Sequence, residues 1–250
     1  MHGMDAGGFE ILYEAGPCLA VNKPPGLLVQ APPGIDSLEV RVKALLKHRD
    51  ALPGDVYLGL PHRLDRPASG VLLLGKSRRA TRRLAEQFEE RRVRKLYWAC
   101  VEGRVARCEG TWSDWVRKVP NEPRAEIVPP DHPDARSAVL HYRVLAAADW
   151  GSWLEIELET GRTHQIRVQA ASGGHPVLGD FQYGSTVPFG KQHDDPRLRA
   201  IALHARTLTF EHPKTRETVS VTAPVGEVWQ AFTAGAPRPA AGGGGSEAAG

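Results

Sequence analysis

Apolar and polar residues alternate along several short stretches of this chain, the signature of strands with one face buried. Residues 153–159, Trp-Leu-Glu-Ile-Glu-Leu-Glu, are the clearest case. The same criterion reads 9–13, 18–22, 96–101, 138–145, 206–210 and 219–222 as strands, and 71–74 as a short, wholly apolar one. Helical periodicity is rarer. It marks 38–48, the longer 77–92 with Ser77 as N-cap, 163–171 ending before Gly173, and 228–233. This strand-rich order predicts an α+β domain built around a mostly antiparallel sheet.

Residues 1–8 are small and are expected to be flexible, and the Gly/Ala-rich stretch 235–250 holds too little apolar surface to pack and reads as a disordered tail. Between them, 9–234 reads as one domain: no period of about 20–50 residues recurs, and the polar, Pro-rich stretch 119–136 is an excursion within it. At 250 residues and 41% hydrophobic composition, a sizeable core is affordable by size alone.

Charge adds a lean toward nucleic acid. The net charge is only +3, but the 32 basic residues are 24 Arg and 8 Lys, so most positive charge sits on planar forks suited to phosphates and stacked bases. Cys18, Cys100 and Cys108 are too few and too scattered for a disulfide framework or a Cys-rich metal site. No signal-like N-terminus and no run of about 18 apolar residues stands out. The expectation is a soluble, cytoplasmic protein with no membrane partner.

Two segments carry candidate chemistry. Pro61-His-Arg-Leu-Asp-Arg-Pro-Ala-Ser-Gly70 delivers one carboxylate, Asp65, among His62, Arg63 and Arg66; an adjacent guanidinium favours the ionised form that a nucleophile or base requires. A loop Asp that pairs with Arg66 or caps Ser69 has the same spacing. Glu159-Thr-Gly-Arg-Thr-His-Gln-Ile-Arg167 reads as a strand, a Gly turn and a helix start bearing Arg162, His164 and Gln165, with His164 and Arg167 on one helix face. Such a start binds anions, and Arg167 one turn in can reach a carboxylate bidentately. A polar helix start with His164 as its cap fits equally well.

Other patterns change the picture less. Gly70 to Ser77 matches a phosphate-loop spacing, but 71–74 is bulky and apolar, which suits a buried strand and not a cradle of free backbone N–H groups. Residues 76–95 hold nine Lys or Arg against three Glu, fitting either an RNA-facing surface or a solvated helix face balanced by i,i+4 pairs. On the strand that follows, Tyr97 can offer its ring to a base or pack ordinarily. The histidines lie singly, without metal-ligand spacing.

Taken in order, Asn22-Lys-Pro-Pro-Gly26, His62 to Gly70, Lys95-Leu-Tyr97, Gly161-Arg-Thr-His-Gln-Ile-Arg167, Gly174-His-Pro-Val-Leu-Gly-Asp180 and Leu203-His-Ala205 resemble the RluA-type RNA pseudouridine synthases over about residues 9–225. The resemblance implies the family's mixed, mostly antiparallel central sheet flanked by helices. It implies an isomerase with no metal and no nucleotide or other cofactor, in which Asp65 is the catalytic aspartate, Tyr97 lies over the target base and Arg167 pairs with Asp65. His62, Arg63, Arg66, Arg162, His164 and Gln165 are then expected to contact substrate or RNA, with Arg63 or Arg162 holding backbone or filling the gap left by an extruded base. The expected partner is ribosomal or transfer RNA, as a stem-loop, bound by a monomer. The chain departs from the family at Ala68, usually Thr, and Gln169, commonly His. Because the pattern begins by about Phe9, no small N-terminal RNA-binding domain is expected. Two other readings are an inert RNA-binding module of the same fold, and a hydrolase using Asp65 and His164.

Overall fold

The computed structural model describes residues 7–229. Residues 1–6, the part of the expected 228–233 helix beyond Trp229, and the expected disordered tail all lie outside the described residues; residues 227–229 form a short 3-10 turn. The described strands are β1 (Glu10–Ala15), β2 (Cys18–Lys23), β3 (Ser69–Gly75), β4 (Arg94–Glu102), β5 (Glu109–Lys118), β6 (Ala125–Ile127), β7 (Arg136–Ala148), β8 (Gly151–Leu158), β9 (Leu203–Glu211) and β10 (Thr218–Thr222). They form a single sheet ordered β1-β2-β3-β9-β4-β8-β7-β5-β6, with β10 also on β9. Every pairing is antiparallel except β3 with β9. The α+β class and the mixed, mostly antiparallel sheet are as the sequence led one to expect.

Three helices flank the sheet: α1 (Leu38–Arg49), α2 (Arg78–Glu89) and α3 (Gln165–Ser172). Ser37 and Ser77 turn their hydroxyls onto the backbone N–H of Val40 and Ala80, so each helix opens with one of its free donors satisfied. Leu38, Val42 and Leu46 recur every fourth residue and bury one face of α1. On α2, Ala80 and Leu84 face the sheet, while the buried Gln87 amide bridges both backbone groups of Glu211 on β9 at 2.8 Å.

Sequence reading missed β5 and β6. β5 alternates, but Asp114 is on its partly buried face and Trp115 on its exposed one, which inverts the hydropathy that period-2 reading relies on. The Pro-rich excursion returns through β6, whose three residues pair with the end of β5. The phosphate-loop lookalike is the buried β3, in agreement with its rejection.

The parallel contact that joins the two halves of the sheet is short. β3 and β9 pair only at Ser69 with His204 and Gly70 with Ala205. At Gly70 φ is +113°, and an added Cβ would lie 2.3 Å from the Ala205 carbonyl oxygen, so only glycine permits this approach. The loop before β3, the N-terminal end of α3 and the middle of β4 converge beside this junction.

Candidate active site

The loop entering β3 is fixed from below before it offers any chemistry. Leu64 is buried, and Lys23, with no exposed surface, donates from Nζ to the carbonyls of Pro24, Leu27 and Arg66 at 2.8, 2.9 and 3.1 Å. Burial pulls the Lys23 ammonium down to about 7, against the opposing pull of Asp65. Arg66 adds a second clasp: its carbonyl accepts from Gly26 N–H at 2.8 Å and its Nε donates to the Gly26 carbonyl at 2.9 Å. Between these anchors Asp65 keeps 18% of its side chain exposed.

Asp65 faces two side chains from the start of α3 and its cap. Arg167 Nη1 lies 3.3 Å from Oδ2, and His164 Nε2 lies 3.7 Å from Oδ1. Two residues 102 positions apart are thus brought together. The arginine's closest partner is a third residue. Arg167 Nε and Nη2 hold both oxygens of Asp180 at 2.6 and 2.8 Å, and Nη2 also donates to Gln182 Oε1 at 2.8 Å. Asp180 and Arg167 are 2% and 4% exposed. Burial opposes the guanidinium's charge, but the hydrogen bonds of Asp180 and the nearby Asp65 outweigh it and raise its proton affinity.

The bidentate carboxylate expected for Arg167 is therefore Asp180, and Asp65 receives a single longer contact. One positive charge is shared by two carboxylates.

Tyr97 reaches the same place from β4. The β4–β9 register slips between Leu96 and Tyr97, and a bulge of this kind re-aims the side chain that follows it. Burial and the Asp65 charge raise the phenol's pKa, so it stays neutral.

Two adjoining cavities share a wall made by residues 61–65, His164 and Arg167. The smaller, about 480 Å³, contains Tyr97 and is rimmed by Arg91, Lys95 and Arg162. Lys95 and Arg162 both lose proton affinity through burial and through Arg91, and each through cations beside it, as expected where positive charges crowd without enough carboxylates. The larger, about 940 Å³, is lined by Leu28, Gln30, Arg66, Phe181 and Arg199 among others. Arg63 is exposed at the shared wall and makes no hydrogen bond or ion pair with the described residues. Of the basic stretch 76–95, the C-terminal end reaches this cleft; Arg82 instead lies 3.5 Å from Glu86 on the open helix face.

Three of the expected residues make specific contacts within the protein. Gln165 is 3% exposed, and its amide accepts from Arg162 N–H and Thr160 Oγ1 and donates to the Val139 carbonyl, so its polar atoms fasten the turn. His62 lines the wall, but its Nε2 accepts from Leu73 N–H at 2.9 Å and its ring stacks on Phe88, so its polar edge is directed inward. Burial pushes it down to about 3. His164 does not cap α3: it sits at the cap position in a left-handed conformation with no capping bond, and its ring faces Asp65. Gln169 donates to Asp114 Oδ2 and the Ala138 carbonyl, tying α3 to β5 and β7.

Asp180, Gln182, Tyr183 and Lys23 were not singled out as site residues. Asp180 and Lys23 stood inside motifs, but nothing local shows that one meets Arg167 or that the other braces the Asp65 loop.

A family model described as RNA pseudouridylate synthase matches residues 17–172. An uncharacterized RNA pseudouridine synthase of Synechocystis sp. is 37% identical over 219 residues, covering 86% of this chain and 65% of that protein. The ribosomal large subunit pseudouridine synthase D of Xanthomonas campestris pv. campestris is 36% identical over 224 residues, covering 87% and 66%. The chain thus spans slightly less than two thirds of the length of these curated relatives. Among solved structures, human RNA pseudouridylate synthase domain containing 4 superposes with a TM-score of 0.72 at 23% identity over 88% of this chain and 90% of that one, a likeness of fold. Human RNA pseudouridylate synthase domain containing 1 gives 0.67 at 27% over 90% and 86%.

Proposed function

Since the chain belongs to the RNA pseudouridylate synthase family, we propose that it isomerises uridine in ribosomal or transfer RNA to pseudouridine, with Asp65 as the reacting carboxylate. The observation that carries this reading is the meeting of Asp65 with Arg167 at 3.3 Å in a wall between two cavities, one containing Tyr97.

The reaction breaks the bond from C1′ to N1 of uracil, turns the ring, and joins C5 to C1′; C5 gives up a proton and N1 gains one. Atoms and oxidation state balance within the substrate. The protein must hold an ionised carboxylate at the ribose, either to attack C1′ or to take the C2′ proton. Because Asp180 takes the bidentate grip of Arg167, Asp65 has one longer contact to it and is not clamped.

A uridine stacked in a duplex cannot reach this carboxylate, so the target is everted, at a cost of a few kcal/mol that a loop uridine largely avoids. A stem-loop is the favoured substrate. Tyr97 covers one face of the everted ring, Arg63 enters the gap it leaves, and Arg91, Lys95 and Arg162 hold phosphates. The monomer works without metal or nucleotide cofactor in the cytoplasm.

Mapping pseudouridine in ribosomal and transfer RNA from cells with and without the gene, then converting a synthetic transcript of the affected site, tests the reading. We expect one or more sites to vanish with the gene, and Asp65→Asn protein to bind the transcript and leave it unmodified. Unchanged maps, or turnover by Asp65→Asn, overturn it; binding without turnover by the native protein makes it an inert RNA binder.

A further inference from the structure

Tyr183 touches both groups that flank Asp65. Its hydroxyl lies 2.9 Å from His164 Nδ1, and its ring face carries the Arg167 guanidinium with Cζ 4.8 Å from the centroid. The same hydroxyl accepts the Ala125 backbone N–H of β6 at 2.8 Å. Tyr183 therefore stands behind the carboxylate's two donors and is itself fixed by the β5–β6 hairpin.

The hydrogen bonds allow one protonation pattern. The Tyr183 oxygen is occupied as an acceptor by Ala125, and among the described residues its proton has one acceptor within reach, His164 Nδ1. If Nδ1 carried the hydrogen, the tyrosine proton would be stranded in a half-buried site, and the bare Nε2 lone pair would face the Asp65 carboxylate at 3.7 Å. A doubly protonated ring strands the same proton. Burial also lowers the ring's proton affinity, more than Asp65 raises it; Arg167 and Arg63 lower it further, while Asp180 raises it. What remains is a neutral imidazole with its hydrogen on Nε2.

The backbone agrees that this ring is placed deliberately. His164 has φ +51°, left-handed for a residue with a Cβ, and such strain persists where surrounding contacts determine it. No cap bond to α3 explains it.

We propose that Tyr183 is a positioning residue for the reaction: it fixes His164 as a neutral Nε2–H donor to one oxygen of Asp65 while seating Arg167 against the other. The proposal rests on Asp65 being the reacting carboxylate. One cation and one neutral donor orient the carboxylate, whereas a second cation would hold it more tightly and blunt it as a nucleophile or base. At 3.7 Å the His164 contact is longer than a hydrogen bond, and shortening it on RNA binding completes the arrangement.

The test has a spectroscopic arm and a kinetic arm. Long-range ¹H–¹⁵N correlation on the ¹⁵N-histidine-labelled full chain at neutral pH should show His164 with Nε2 protonated and Nδ1 bare; Tyr183→Phe should shift it toward the other tautomer. In single turnover of a transcript carrying the mapped uridine, Tyr183→Phe should lower the rate at saturating enzyme by roughly three- to tenfold, the worth of one hydrogen bond, with transcript affinity unchanged. Tyr183→Leu, which also removes the ring beneath Arg167, should lose more. The His164 pair separates positioning from folding. Asn tolerates the left-handed backbone better than Gln, but Gln can place an N–H where Nε2 stood and Asn cannot. His164→Gln should therefore be faster than His164→Asn, although it is no more heat-stable.

An Nδ1–H or imidazolium signal in the native protein, an affinity change without a rate change in Tyr183→Phe, or an Asn variant as fast as Gln overturns the proposal. Failure of the function itself reads differently: the native protein then converts no uridine, or Asp65→Asn does, while the tautomer of His164 can still be measured.

Discussion

Arg167 grips both oxygens of Asp180, at 2.6 and 2.8 Å, and turns only its remaining Nη1 toward Asp65, at 3.3 Å. The tight buried pair is scaffold and the looser contact faces the cavity. A guanidinium can serve two carboxylates because its five donors point in fixed, separate directions.

Removing the scaffold carboxylate leaves a buried guanidinium with only the longer Asp65 contact and the Gln182 amide as partners. Asp180→Ala should lose about 3–5 kcal/mol of stability, measured by urea unfolding. Arg167→Lys keeps the charge but cannot fork, and its turnover should fall by roughly ten- to a hundredfold, the worth of one charged hydrogen bond. Turnover within twofold of native in Arg167→Lys would show that the fork is dispensable.

Tyr97 offers a clean separation of ring from hydroxyl. Tyr97→Ala should weaken RNA binding by about 1–3 kcal/mol, the range for losing one base–aromatic stack. Tyr97→Phe should bind as tightly as native. Filter binding on a common transcript distinguishes them; equal weakening in both variants would rule out stacking as the ring's role.

The cations at the mouth of the smaller cavity should act through phosphates. Replacing Arg91, Lys95 or Arg162 singly by Gln should reduce the slope of log affinity against log salt by about 0.7–0.9 each, with little change of sequence preference. A slope that stays constant in all three means that RNA follows another path.

Stability should depend on pH through His62, His204 and Lys23. His62 and His204 are pushed by burial from 6.5 to about 3 and about 4, so below about pH 6.5 the unfolded chain binds protons that the folded one refuses. The urea midpoint should fall as pH drops from about 6.5 toward 4, and His62→Gln should flatten that limb. Lys23, depressed from 10.5 to about 7, has the corresponding effect on the alkaline side: between these values the unfolded chain alone holds the proton, so this contribution to stability rises with pH. Lys23→Met should remove the rise.

Much of this was legible along the chain. Alternation marked seven of the strands and an unbroken apolar run marked β3, and Ser77 and Gly173 stand at helix ends, Ser77 because a backbone donor there needs a partner. The ordered motifs named Asp65, Tyr97 and Arg167. These signals are local, set by the side chain's own hydropathy or by a neighbour within a few residues.

What only the tertiary structure decided is which carboxylate Arg167 holds, which histidine faces Asp65 and what stands behind both. His62 and His164 look alike in sequence, each within two residues of an Arg in a polar motif. In the fold, one turns its nitrogen to the β3 backbone and the other turns its ring to Asp65. Gln165 looked available and is buried, whereas Tyr183 attracted no notice and supports the site. The reason is physical: hydrogen bonds between residues far apart depend on distances of a few ångströms and on which donors are already satisfied, and both are set by packing, on which residue order alone is silent.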